Sequence, residues 1–222
     1  MTTEPIATPR IPLSKERVLR AAVDLADRVG IDAVSMRRLG QELGVEAMAL
    51  YRHVRDKDAL LDGMIETVVG EIARPAPGPD WRASMRALAL ASREVMLRHR
   101  WAPALLVSRP EIGPVTLGLV DAELGILAAG GFSIDQAHHA LHVLGSRVFG
   151  FTQDPFNDAA QTEQDAAQSA AFARAIAPTY PHVAELALAA SHGGALGGCD
   201  DDVEFAFSLD LILDGLERAR TA

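Results

Sequence analysis

Residues 35–57, SMRRLGQELGVEAMALYRHVRDK, constrain the fold more than any other stretch of this chain. Met36, Leu39 and Leu43 recur on one face of a short helix that Ser35 can cap through its hydroxyl. Gly44 follows where a helix stops in a left-handed residue, a conformation that costs other residues about 1 kcal/mol. Val45 buries the turn. A second short helix over 46–53 then keeps Ala49 and Leu50 inward and presents Met48, Tyr51, Arg52 and His53 outward. Two short helices at a fixed angle, the second with bulky polar tips, form the helix-turn-helix geometry that fits the major groove of DNA.

Helical periodicity continues on both sides. Ser14 caps a helix over 15–29, in which Val18, Leu19, Ala22, Leu25 and Ala26 form the apolar face and which Gly30 ends. Ile31, Ala33 and Val34 link it to the helix-turn-helix. Asp56 opens a longer helix over 57–73 with Leu60, Leu61, Met64, Ile65 and Val68 as its stripe. Three prolines and a glycine in 74–80, RPAPGPD, then mark a boundary between domains at 10–74 and 80–222. Further helices are expected over 81–98, 114–129, 134–151 (capped by Ser133 and stapled by Phe132), 165–177, 182–190 and 203–220, with a turn-bounded segment at 103–107. Residues 152–164 and 191–202 are expected to be a loop and a flexible connector. Hydrophobic content of 49% with only 5% aromatics favours close-packed helices over a sheet. The expectation is an all-α fold: an N-terminal three-helix helix-turn-helix domain plus a C-terminal helical domain.

A net charge of −9 is unusual for a DNA partner until the charge is located. Residues 10–57 hold ten Lys/Arg against seven Asp/Glu, whereas 76–222 hold ten against eighteen. Screening over about 8 Å at physiological salt makes the local sign the relevant one. No uncharged apolar run of membrane-spanning length occurs, and residues 1–14 form a proline-punctuated arm with no apolar signal core. The single cysteine, Cys199, excludes an internal disulfide and fits a reducing cytoplasm. No nucleophile–base pair, metal-ligand cluster or phosphate-cradling loop stands out, so neither an enzyme nor a cofactor is expected. The glycine-rich 193–198 lacks the Lys-Ser/Thr of a phosphate loop.

The stretch LGQELGVEAMALYRHVRDKDALLDGM resembles the N-terminal domain of the TetR family of transcriptional regulators. The signature L-Y-x-H-[VF]-x-x-K-x-x-L is present as Leu50, Tyr51, His53, Val54, Lys57 and Leu60. DWRASMRALALASREVMLRHR, the SRP at 108–110, GFSIDQAHHAL and FSLDLILDGLE are similar to the C-terminal domain of the tetracycline-repressor branch. The resemblance assigns ligand binding and dimerisation to the C-terminal helical domain, and implies a homodimer that binds a palindromic operator and is released by a small-molecule effector; an activating or effector-independent regulator stays open. It also implies base or phosphate contacts from Lys15, Ser35, Arg37, Met48, Ala49, Tyr51, Arg52, His53 and Lys57. Arg38 reads instead as a solvated residue.

For dimerisation, the helices at 134–151 and 203–220 offer Leu141, Leu144, Val148, Phe205, Leu209, Ile212, Leu213 and Leu216, enough for an intersubunit four-helix bundle. Leu88, Ser92, Val95, Met96 and His99 share one helical face and are the expected pocket wall, with Arg109 and His139 as polar candidates. His138, His139 and His142 lack a carboxylate or cysteine at ligand spacing, so no metal is expected there. The branch's magnesium-binding histidine has no counterpart in Ala104–Val107, which points to an apolar, metal-independent effector.

Overall fold

The computed structural model describes residues 12–75, 78–150, 163–189 and 201–221. The arm at 1–11, most of the loop expected at 152–164, and Cys199 with most of its connector lie outside the described residues. Among the described residues there are eleven α-helices, one 3-10 turn and no strand. The chain divides into two compact units, one of residues 1–74 and 91–122, the other of 75–90 and 123–222.

In the first unit, α1 (Lys15–Val29) is capped by Ser14, whose Oγ accepts from Arg17 N at 3.2 Å. A 3-10 turn (Ile31–Ala33) leads to α2 (Met36–Leu43), capped by Ser35 accepting from Arg38 N at 3.2 Å. Gly44 ends α2 at φ 66°, the left-handed cap its position predicts. α3 (Ala47–Leu50) is shorter than the expected 46–53, because residues 51–53 close into turns on Leu50 O. Asp56 Oδ1 caps α4 (Lys57–Val69) by accepting from Ala59 N at 2.8 Å. That helix stops before 73: Gly70 closes its last turn on Glu66 O and Val68 O.

The core of this unit is made by Val18, Leu25, Leu39, Leu50, Leu60, Met64 and Val68, all but removed from solvent. α1 packs on α2 and α4, and α2 on α3. The close approach within the helix-turn-helix depends on Gly40. A Cβ there would fall 2.8 Å from Val45 O and 3.2 Å from Ala47 N, both backbone atoms without room to yield. Residues 91–98 of α5 (Trp81–Arg98), α6 (Ala102–Ser108) and residues 114–122 of α7 (Pro114–Ala129) complete the unit, with α6 against α4.

The second unit holds the remainder of α5 and α7, then α8 (Ile134–Gly150), α9 (Glu163–Ile176), α10 (Pro181–Ala189) and α11 (Asp201–Thr221). Ser133 and Gln136 form a reciprocal cap at the start of α8 (3.2 and 2.9 Å), and Phe132 is buried edge-on against Trp81 at 4.7 Å. α8 packs on α11, and the buried side chains are Ala137, Ala140, Leu144 and Val148 on α8 and Phe205, Leu209 and Leu213 on α11. Arg147 lies 4.9 Å over the Phe205 ring and donates to Glu204 O at 3.0 Å. Trp81 Nε1 donates to Glu217 at 3.0 Å, and Arg86 pairs with Asp210 at 3.0 Å. Arg220, with help from Trp81, holds the Glu217 carboxyl below its ordinary value. α9 and α10 pack as a hairpin.

Candidate nucleic-acid interface

The residues proposed to touch DNA all belong to the first unit, and most of them are exposed. Met48 is 74% exposed and Tyr51 44%, with Arg37, Arg52 and Lys57 also at the surface and His53 and Ala49 half-buried. Leu50 faces the opposite way and is fully buried, so α3 is anchored by one side chain while its neighbours point outward. Arg37, Arg52 and Lys57 form no ion pair among the described residues, which leaves their charges available to phosphates or base edges. Ser35 is exposed, but its oxygen already caps α2. Lys15 is exposed at the first position of α1. Lys57 is likewise the first residue of α4, where its ammonium adds to the helix's unpaired N–H groups.

Around this surface the charges are paired off. Arg28 donates to Glu42 at 2.5 Å, tying α1 to α2. Arg55 pairs with Asp56 at 2.8 Å. The Asp56 carboxyl is held below its usual value, first by the Ala59 N–H and then by Arg55.

Arg109, a polar candidate for the effector, donates from Nε to Asp62 at 2.6 Å and from Nη1 to Asp58 at 3.2 Å, both on α4, and its hydrogen bond to Asp62 foremost raises its pKa. Glu66, one turn further along α4, accepts from Val115 N (2.7 Å), Thr116 N (3.1 Å) and Thr116 Oγ1 (2.6 Å), capping α7 from outside its own helix. The sequence shows Asp58, Asp62 and Glu66 at helical spacing, but their partners lie some fifty residues away and carry no local signal.

His99 also has a structural occupation. It is 4% exposed, its Nδ1 2.9 Å from Asp27 of α1 and its Nε2 3.2 Å from Glu71, with Trp101 Nε1 donating to Asp27 at 2.6 Å. Ser92, Val95 and Met96 are buried in the first unit, and Leu88 is buried in the second. His139 is exposed on α8 beside His138 and His142, whose rings are 4.6 Å apart. No group of three metal-ligating side chains suited to an ion occurs among the described residues. One carboxyl went unremarked in the sequence. Glu123 of α7 is half-buried with no hydrogen bond or ion pair among the described residues, and desolvation pushes it up to about 7.

Of the residues expected at a dimer face, Leu144, Val148, Phe205, Leu209 and Leu213 are buried within the chain itself, and Leu141, Ile212 and Leu216 are half-buried. The exposed apolar side chains of these helices are Val203, Phe207 and Leu211, four residues apart on α11, with Ile134 and Val143 on α8. No helix among the described residues is long and apolar enough to cross a membrane.

Comparison with known proteins bears on this surface. Residues 18–64 match the profile described as bacterial regulatory proteins, tetR family, and residues 74–220 match the tetracyclin repressor-like C-terminal domain. The HTH-type transcriptional repressor DrrR1 of Streptomyces coeruleorubidus is 31% identical over 96% of this chain and 80% of its own length. The class A tetracycline repressor protein from transposon 1721 of Escherichia coli is 32% identical over 94% and 92%. Among solved structures, ActR of Streptomyces coelicolor in complex with actinorhodin superposes with a TM-score of 0.76 at 26% identity, covering 96% of this chain and all of that one.

Proposed function

Because the chain belongs to the TetR family of bacterial transcriptional regulators, we propose that it represses transcription by binding a palindromic operator as a homodimer and lets go when a small molecule binds. The observation that carries this reading is the surface around α3. Leu50 roots the helix while Met48, Tyr51 and Arg52 stand exposed, and Arg37 and Lys57 are exposed with no ion pair among the described residues. Arg37 and Arg52 reach guanine edges or phosphates, Met48 packs on thymine methyls, and Tyr51, His53 and Lys57 hold the backbone. A single reading head offers only a few phosphate contacts, which leaves micromolar affinity or weaker at cell salt. Two heads on one dimer raise it by effective concentration.

The partner face we assign is the exposed row Val203, Phe207 and Leu211 of α11 with Val143 of α8. The buried leucines behind it set the spacing of the two helices. The effector is apolar and bound without metal, in keeping with Leu88, Val95 and Met96 and with Leu105 and Leu106 where the branch places a histidine. ActR, solved with actinorhodin, and the tetracycline repressors are relatives through which a ligand class can be sought. The protein acts in the cytoplasm, as a regulator and without catalysis.

The test is an operator selected in vitro from random duplexes by the full-length protein. Affinity for it falls steeply with salt and is lost in Tyr51→Ala and in Lys57→Ala; unchanged affinity in both would refute the contact assignment. Thermal-shift screening with and without Mg²⁺ addresses the effector, and magnesium-dependent binding of a tetracycline would refute the metal-independent pocket.

A further inference from the structure

The start of α4 carries more acid than a phosphate-facing surface tolerates. Lys57 is followed by Asp58 and Asp62, one turn apart, whose side chains are 75% and 50% exposed. Carboxylates within about one screening length, ~8 Å, of a phosphate contact repel the duplex. Both converge on one cation, Arg109, in the turn after α6. Its side chain is only 16% exposed, and its guanidinium bonds Asp62 at 2.6 Å and Asp58 at 3.2 Å. The other arginine at this end, Arg55, is paired with Asp56. Among the described residues, Arg109 is the cation bonded to both Asp58 and Asp62, while Arg55 acts on them only at longer range.

We propose that Arg109 is a positioning residue for operator binding that acts by charge: it masks Asp58 and Asp62, so that the Lys57 end of α4 attracts the DNA backbone. The inference rests on the reading of Lys57 as a phosphate contact. Arg109 itself touches no DNA and works through the two carboxylates. The turn after α6 thereby gains control over the charge at the start of α4, since moving Arg109 away bares two negative groups beside the contact.

The same ion pairs could instead serve as a mechanical clasp, and the two roles predict opposite outcomes. If masking is the role, Arg109→Gln weakens operator binding by about tenfold at about 50 mM salt and about twofold at about 300 mM, as screening hides the bared carboxylates. The double variant Asp58→Asn/Asp62→Asn binds at least as tightly as wild type, and adding it to Arg109→Gln restores affinity. A clasp requires the double variant to weaken binding as Arg109→Gln does. That result overturns the proposal, as does an Arg109→Gln defect that is absent or does not shrink with salt. Fluorescence anisotropy on the selected operator supplies the affinities, with thermal unfolding run on each variant. Should Arg109→Gln fail to fold, the asparagine pair alone still decides between the roles. Lys57→Ala is measured alongside; full affinity there refutes the phosphate-contact reading, whatever Arg109 does.

Discussion

Replacing Glu123 with Gln should stabilise this protein, and by an amount that grows with pH. The carboxyl is half-buried in α7 without a hydrogen-bonding partner among the described residues, and desolvation raises it from 4.5 to about 7. The folded state therefore keeps a proton that the unfolded chain has released. Stability falls as pH rises from about 4.5 to about 7 and then levels off. Each pH unit is worth about 1.4 kcal/mol, so the full penalty is at most about 3.5 kcal/mol, and water reaching a half-buried group reduces it to about 1–3 kcal/mol. Glutamine has the shape of the neutral acid and never ionises. Thermal unfolding of the two proteins should agree near pH 4.5 and diverge as pH rises. At pH 8 Glu123→Gln should melt higher by roughly 2–12 °C, given about 2–4 °C per kcal/mol at this size. An offset between the two proteins that does not change with pH would refute the desolvation argument.

Gly40→Ala puts a methyl group against the backbone of Val45 and Ala47 and should cost about 2 kcal/mol in chemical denaturation, with loss of operator binding. Glu66→Ala removes the acceptor for the Val115 and Thr116 donors; water replaces part of it, so a loss of about 1–2 kcal/mol is expected by thermal melt. His99→Ala removes a buried ring from between Asp27 and Glu71, which solvent can partly reach, and should destabilise by about 1–2 kcal/mol. Asp27→Asn should cost less, because the amide oxygen still accepts from Trp101; denaturant titration ranks the two.

The helices of the first unit were legible because their signals are local. Ser14, Ser35 and Asp56 cap where the pattern places them, Gly44 adopts the left-handed turn, and the apolar faces of α1, α2 and α4 are the ones buried. Capping and amphipathicity act within a few residues of chain, so a sequence displays them. The outward set Met48, Tyr51 and Arg52 followed from the same logic, since burying Leu50 leaves its neighbours facing solvent.

What the tertiary structure alone decided is who meets whom across distance. Arg109 and His99 had the right chemistry for a ligand, yet each bonds carboxylates contributed by distant parts of the chain, Arg109 those of α4 and His99 that of Asp27 on α1. Phe205, Leu209 and Leu213 were recognisable as an apolar face, but which neighbour covers that face depends on how α8 lies against α11. An apolar stripe states that burial is favourable without stating the partner, and a charge states its sign without its counter-ion. Those choices are made when segments far apart in the chain pack together, and no periodicity in the sequence encodes them.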